Sequence, residues 1–210
     1  MKNWTFKQWN TILGWVVFAI AFITYLSTIE PNFSFWDCGE YISSAVKLEV
    51  THAPGAALFQ LVGAVVALFA FGDGQHYSLV INAMSALCSA FTILFLFWTI
   101  THLVRRLLNR EFENITIAEE IATLFAGAVG ALCFTFSDSF WFSAVEGEVY
   151  AMASMFIALI VWLITKWENE YLEKDNERWI ILLFFIIGLS VGVHMMCMLA
   201  LPAVCLIYYT

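Results

Sequence analysis

The chain has 210 residues, of which 62% are hydrophobic and 12% are charged. A soluble domain carries about 25% charged residues, and this chain has roughly half that share, so the composition excludes an ordinary soluble domain. The net charge of −8 leaves no basic patch of the kind that binds nucleic acid, which excludes that class of partner.

The apolar stretches predict an all-α polytopic membrane bundle with about six transmembrane helices. The first span covers about residues 9–29 and leads into an external loop at residues 30–75, which contains a shorter apolar run. Further apolar stretches follow at residues 77–103, 118–136, 149–165 and 179–209. The last of them is long enough for two spans that turn near residues 192–195.

The apolar run at residues 56–71 decides the topology, because it is slightly shorter than the roughly 17 residues that a spanning helix needs. If it lies along the membrane interface, only Lys47 among the nine Lys and Arg residues is external. The positive-inside rule favours this arrangement, which puts the N-terminus in the cytoplasm. We therefore expect residues 1–210 to form a single membrane domain, with an interfacial helix in the external loop. The abrupt end at residue 210 indicates the N-terminal part of a longer protein.

Asp37 and Glu40 follow the first span and are the main candidates for chemistry. Their spacing of three places both carboxylates on one face of a predicted helix that runs to about Val50. Neighbouring carboxylates shift each other's proton affinity, so one can act as a general base toward a substrate hydroxyl. The alternative is that Asp37 only caps the helix, where acids in the first turn also interact favourably with the helix dipole.

Further polar residues are predicted on the same external side. Glu146 and Glu148 precede the span that begins at residue 149, with Tyr150 beside them. They form either a second polar wall that faces the first acids or a solvated helix start. The candidates for binding an anionic head group are the scarce external cations Lys47, His52, His76 and His194.

The sequence does not require a metal. None of the five cysteines forms a CxxC pair, so no cysteine metal site is predicted. The paired acids permit a divalent cation without requiring one. Cys38, between the two acids, is predicted to be a small, tolerated residue.

The order of these features resembles the start of GT-C membrane glycosyltransferases, in particular the protein O-mannosyltransferase-like branch and a bacterial family formerly of unknown function. The resemblance rests on Phe35-Trp36-Asp37-Cys38-Gly39-Glu40-Tyr41, His52-Ala53-Pro54-Gly55, Glu146-Gly147-Glu148-Val149-Tyr150-Ala151 and Gly188-Leu189-Ser190 with His194. It implies a GT-C fold. It also implies transfer of a sugar from a polyprenyl-phosphate donor to a Ser or Thr hydroxyl of an exported protein, with inversion at the anomeric carbon.

The same resemblance implies roles for individual residues. Asp37 would be the general base, with Glu40 as its partner or alternate. Glu148 and Tyr150 would line the acceptor or donor site, and His52 and His194 would lie near the lipid phosphate. The protein is expected in a bacterial inner membrane, with its active face on the periplasmic side.

Two other functions share these features. A carrier or flippase for a lipid-linked sugar would bind the same donor without chemistry. A non-catalytic scaffold subunit of a membrane complex would present the outer acids as solvated surface.

Overall fold

The computed structural model describes residues 5–108, 116–172 and 175–209. Of these described residues, 79% are helical, and the three ranges contain no β-strand, which confirms the all-α prediction. Lys2, Arg110 and Lys174, three of the cations in the topology prediction, lie outside the described residues. The described helices are α1 (Phe6–Ser27), α2 (Cys38–Lys47), α3 (Ala57–Ala67), α4 (Tyr77–Leu107), α5 (Ile117–Thr135), α6 (Asp138–Ala144), α7 (Val149–Glu170), α8 (Glu177–Val191) and α9 (Leu201–Tyr209).

Four of these helices, α1, α4, α5 and α7, are long and apolar enough to cross a membrane. Helix α4 is the centre of the bundle, because it packs against α1, α5 and α7. Small residues let the helices approach closely, as is common in membrane bundles. A Cβ atom on Gly127 of α5 would lie only 2.5 Å from Cγ2 of Thr101 in α4.

Successive long helices run in opposite directions, so different helix ends meet at each end of the bundle. At one end, Nε2 of His102 in α4 lies 2.8 Å from the carboxylate of Glu168 in α7. At the other end, the Tyr25 hydroxyl of α1 donates to the backbone carbonyl of Thr135, the last residue of α5 (3.0 Å). The external acids of the sequence prediction therefore lie at the end opposite to the C-termini of α4 and α7.

The last apolar stretch reverses direction where the sequence predicts a turn. Helix α8 ends at Val191, and a 3-10 helix, Met195–Ala200, leads into α9. Leu183 of α8 and Val204 of α9 are buried in one cluster with Leu163 of α7, so the two helices run back along the same neighbour. Both are shorter than the four long spans.

The apolar run at residues 56–71 forms α3 and a 3-10 turn, Leu68–Ala70. At about 1.5 Å per residue, a helix of this length covers roughly 20 Å, which is less than the roughly 30 Å hydrocarbon core of a bilayer. One face packs on α2, where a Cβ atom on Gly63 would lie 2.9 Å from Cβ of Ala45. The other face leaves Leu61 and Val65 exposed. An exposed apolar face of this kind suits an interfacial helix.

Candidate active site

Asp37 stands at the start of α2, directly after a strained residue. Trp36 has a φ of 60° and is 85% exposed. A left-handed backbone costs a residue with a side chain roughly 1–2 kcal/mol. Asp37 is the N-terminal cap residue of α2, yet its side chain makes no capping hydrogen bond. Helix capping therefore does not account for the Asp37 carboxylate, which is free for other contacts.

His52 lies between the two acids of the first cluster. Its backbone N–H donates to Oε1 of Glu40 (2.7 Å), and its ring Nδ1 lies 3.1 Å from Oε2 of the same residue. Its Nε2 lies 4.0 Å from Oδ2 of Asp37. The hydrogen bonds from His52 lower the pKa of Glu40. An ionised carboxylate only accepts hydrogen bonds, so Nδ1 carries a proton and Nε2 is the nitrogen that faces Asp37.

A sharp turn after α2 brings His52 back to Glu40. Helix α2 ends earlier than the predicted residue Val50, because Leu48 takes a left-handed conformation with a φ of 54°. The N–H of Glu49 then donates to the Ser44 carbonyl (2.8 Å). The chain returns along the helix as a result, and His52 lies beside the first turn of α2.

The structure brings Glu148 of the second acidic segment to the first cluster. Glu148 is only 6% exposed, and its carboxylate lies near the backbone N–H of Asp37. Burial raises the pKa of Glu148 to about 7, and the negative charges of Glu146 and Asp37 add to the effect. A carboxyl group that titrates near neutral pH can exchange a proton under physiological conditions.

Glu146 is buried behind this cluster, at 2% exposure. Its carboxylate interacts with the Ser34 side chain, and burial raises the pKa of Glu146. Next to it, the Asn82 side chain donates to the backbone carbonyls of Glu30 (2.7 Å) and Asn32 (2.8 Å). In this position Glu146 supports the loop that carries Asp37. A direct contact of Glu146 with substrate stays a prediction.

Tyr41 lies at the site, although its position in the sequence predicts no separate role for it. Its ring packs edge-to-face on His52 (centroids 5.8 Å apart). Burial raises the pKa of Tyr41 to about 12, helped by the negative charges of Glu148 and Asp37. The sequence does contain a signal, because residues four apart share a helix face and Tyr41 follows Asp37 at that interval.

The remaining predicted residues differ in their distance from the acids. The rings of Tyr150 and His194 pack together (centroids 5.6 Å apart). Tyr150 is also close enough to Tyr41 to contribute to the raised pKa of Tyr41. Lys47 is exposed at the far end of α2, seven residues after Glu40. At 1.5 Å per residue, that is roughly 10 Å along the helix axis. The structure therefore does not bring Lys47 to the acidic cluster.

Asp37, Glu40 and His52 also fit a divalent cation. One ligand atom from each residue lies within 4.8 Å of the other two, and all three residues are exposed. Two carboxylates and one imidazole are a common ligand set for divalent transition metals such as Mn²⁺. The exposure of the three side chains would leave coordination positions for water or a phosphate group.

Glu148→Gln is expected to flatten the pH dependence of stability. The pKa of Glu148 in the folded state, about 7, lies above its ordinary value of 4.5. Its stabilising contribution is therefore complete below pH 4.5 and is lost as the pH rises through about 7. The loss is on the order of 2–3 kcal/mol between about pH 5 and pH 8. As the pH rises over this range, the melting temperature of the wild type in detergent should fall more than that of Glu148→Gln. An equal difference in melting temperature between the two proteins at both ends of the range would contradict the raised pKa of Glu148.

Comparison with known proteins gives one consistent family. A family model described as "Protein O-mannosyl-transferase TMEM260 N-terminal domain" matches residues 37–210. Protein O-mannosyl-transferase tmem260 of Dictyostelium discoideum is 26% identical over 164 residues, which are 78% of this chain and 18% of that protein. Protein O-mannosyl-transferase TMEM260 of Mus musculus is 26% identical over 175 residues, which are 83% and 22% respectively. The chain thus spans about a fifth of the length of these relatives. No solved structure matches.

Proposed function

The chain belongs to the family of the protein O-mannosyl-transferase TMEM260 N-terminal domain, and on that premise we propose that it is the N-terminal, base-carrying part of a membrane glycosyltransferase. The donor is a polyprenyl-phosphate sugar, with mannose as the sugar that the names of the relatives suggest. The acceptor is a Ser or Thr hydroxyl of an exported protein. The observation that carries the proposal is the convergence of Asp37, Glu40, His52 and Glu148 at one end of the bundle.

Asp37 is the general base of this reaction. A base must come within hydrogen-bond reach of the hydroxyl that it deprotonates, and the Asp37 side chain is 56% exposed. The acceptor oxygen attacks the anomeric carbon from the face opposite the phosphate, so a C–O bond to the acceptor forms as the bond to the phosphate oxygen breaks. The proton passes to Asp37, the polyprenyl phosphate leaves, and the anomeric configuration is inverted.

Glu40 and His52 position this base. Glu40 binds both the backbone N–H and the ring of His52, which directs Nε2 toward Asp37. The protonated form of His52 would attract the carboxylate of Asp37 and the phosphate of the donor. A divalent cation held by Asp37, Glu40 and His52 would instead supply a positive charge for that phosphate.

The donor approaches along the interfacial helix. Phe59 of α3 packs against Tyr41 (centroids 5.5 Å apart), so the site lies directly beside this helix. The exposed apolar face of α3 suits the lipid tail, while the acids suit the polar head. Tyr150 and His194 extend the same surface toward the donor phosphate, and Lys47 can meet the head group only away from the acids.

The proposed location is the bacterial inner membrane, with the N-terminus in the cytoplasm and the acids on the periplasmic face. The resemblance in sequence and the positive-inside rule support this orientation. Transfer of labelled mannose from polyprenyl-phosphate mannose to a Ser/Thr peptide by the full-length protein tests the activity itself.

The orientation predicts which single cysteines react with an impermeant thiol reagent. Cysteine at the exposed position Glu49 should be labelled from outside, whereas cysteines at Leu107 and Glu177 should react only after the membrane is permeabilised. The background needs to lack the exposed Cys133 and Cys205, while Cys38 is buried. Labelling at position 107 from outside would mean that α3 crosses the membrane and that the topology is wrong.

A further inference from the structure

Cationic and aromatic side chains lie together at the end of the bundle opposite the acids. There a cleft of about 1000 Å³ opens between the start of α1 and the C-terminal turns of α4 and α7. Its walls are aromatic and cationic rather than acidic. The aromatic and cationic residues that line it include Trp98, Trp162, Lys7, Arg105, Arg106 and Lys166.

Positive charge predominates among the lining residues. The one carboxylate of the lining, Glu168, lies 2.6 Å from Arg106 and 2.8 Å from His102, so its charge is already balanced. Lys166 is attracted by the carboxylate of Glu170, which does not line the cleft, and repelled by the ammonium group of Lys7, which does. An anion that enters between the two lysines would relieve this repulsion.

Aromatic rings hold the cations at the walls of the cleft. The guanidinium of Arg105 lies over the ring of Phe6 (4.1 Å to the centroid), and Lys166 lies over Trp162 (5.3 Å). Trp98 donates its indole N–H to the Asn10 carbonyl (3.2 Å) and is thereby fixed. Two tryptophans at the end of a membrane bundle are typical of the level of the lipid head groups.

We propose that this cleft binds the phosphate of an anionic phospholipid head group from the leaflet on the side of Lys7. Basic pockets between transmembrane helices bind anionic head groups through the same combination of charge and location. The lysines and Arg105 would contact the phosphate, and the aromatic walls would contact the glycerol and the first part of the acyl chains. This site is separate from the proposed transfer reaction and does not depend on it.

Native mass spectrometry of the full-length protein in detergent tests the proposal by titration with phosphatidylglycerol and, separately, phosphatidylcholine. We expect phosphatidylglycerol to be retained in preference to phosphatidylcholine. One basic residue near an anionic lipid surface contributes about a fivefold difference in affinity. Lys7→Gln should therefore weaken phosphatidylglycerol binding by about fivefold, and Lys7→Gln with Lys166→Gln by more than about tenfold.

Arg178→Gln is the matched control, because Arg178 lies on the same side, does not line the cleft and pairs with Glu170. Its binding of phosphatidylglycerol should stay at the wild-type level. Lys7 is exposed, so its single variant stays informative even if the double variant does not fold. Equal retention of both lipids, or unchanged binding in Lys7→Gln, would overturn the proposal. Displacement of the lipid by millimolar inorganic phosphate would overturn the lipid assignment in favour of a free phosphate.

Discussion

Replacement of Asp37 by Asn is expected to lower sugar transfer by about 10²-fold or more, the usual scale of a lost general base. Asn keeps the size of the side chain and one hydrogen-bonding oxygen, but it cannot take the proton of the acceptor hydroxyl. The side chain makes no capping hydrogen bond in α2, so the helix should form as in the wild type. The measurement is the initial rate of glycopeptide formation by the full-length protein, together with thermal melting to establish that the variant folds.

Asp73→Asn provides the matched control for this variant. Asp73 is a second exposed acid of the same loop, but its partner is His76 (2.8 Å), outside the acidic cluster. Its replacement should leave the transfer rate within about twofold of the wild type, because surface substitutions away from a site have small effects. Undiminished transfer by Asp37→Asn would exclude Asp37 as the base.

Replacement of Glu40 by Ala is expected to reduce transfer by about tenfold to 10²-fold, the range that follows a misplaced catalytic group. Without the Glu40 carboxylate, the His52 backbone N–H and ring lose their partner, and His52 no longer faces Asp37. Glu40→Gln keeps an oxygen for the backbone N–H, so we expect a smaller loss. The turnover number should fall in both variants while the KM for the acceptor peptide changes little.

Comparing the two Glu40 variants distinguishes a role of Glu40 in positioning His52 from a role as a metal ligand. If Glu40 only positions His52, Glu40→Gln should be more active than Glu40→Ala, and chelation of divalent cations should not alter their ratio. If Glu40 ligates a cation, Gln and Ala should be equally inactive, and a chelator should abolish wild-type transfer. That second pattern would contradict the positioning role of Glu40.

The membrane solvent explains why most of the fold is predictable. A spanning helix needs about 20 apolar residues, so runs of that length identify α1, α4, α5 and α7 directly. Helix ends are less predictable, because the hydrophobic pattern stops before the helix does. Helix α7, for example, continues past Lys166 to Glu170. Long charged side chains such as that of Lys166 can extend from the helix to the polar head-group region, so the helix need not end where the apolar residues end. Helix α6 was not predicted at all, because its seven residues carry no long apolar run.

The site can be predicted from the sequence only in part. The spacing of Asp37 and Glu40 indicates one helix face, and the structure agrees with that local statement. Lys47 follows Glu40 by seven residues, which also corresponds to one helix face, but it lies at the far end of α2, away from the acids. The return of His52 depends on the left-handed Leu48. The approach of Glu148 depends on the close packing of Gly147 against Ile42 of α2. Neither arises from a local sequence pattern.

The proposed function requires that this chain takes part in transfer rather than in transport of the lipid-linked sugar. The most direct measurement places the full-length protein in vesicles with polyprenyl-phosphate mannose, with and without a Ser/Thr acceptor peptide. We predict O-linked mannose on the peptide, formed at the face that carries Asp37, and no movement of the donor between leaflets when the peptide is omitted. Donor movement without any acceptor, and no glycopeptide when the acceptor is present, would contradict the account and favour a carrier.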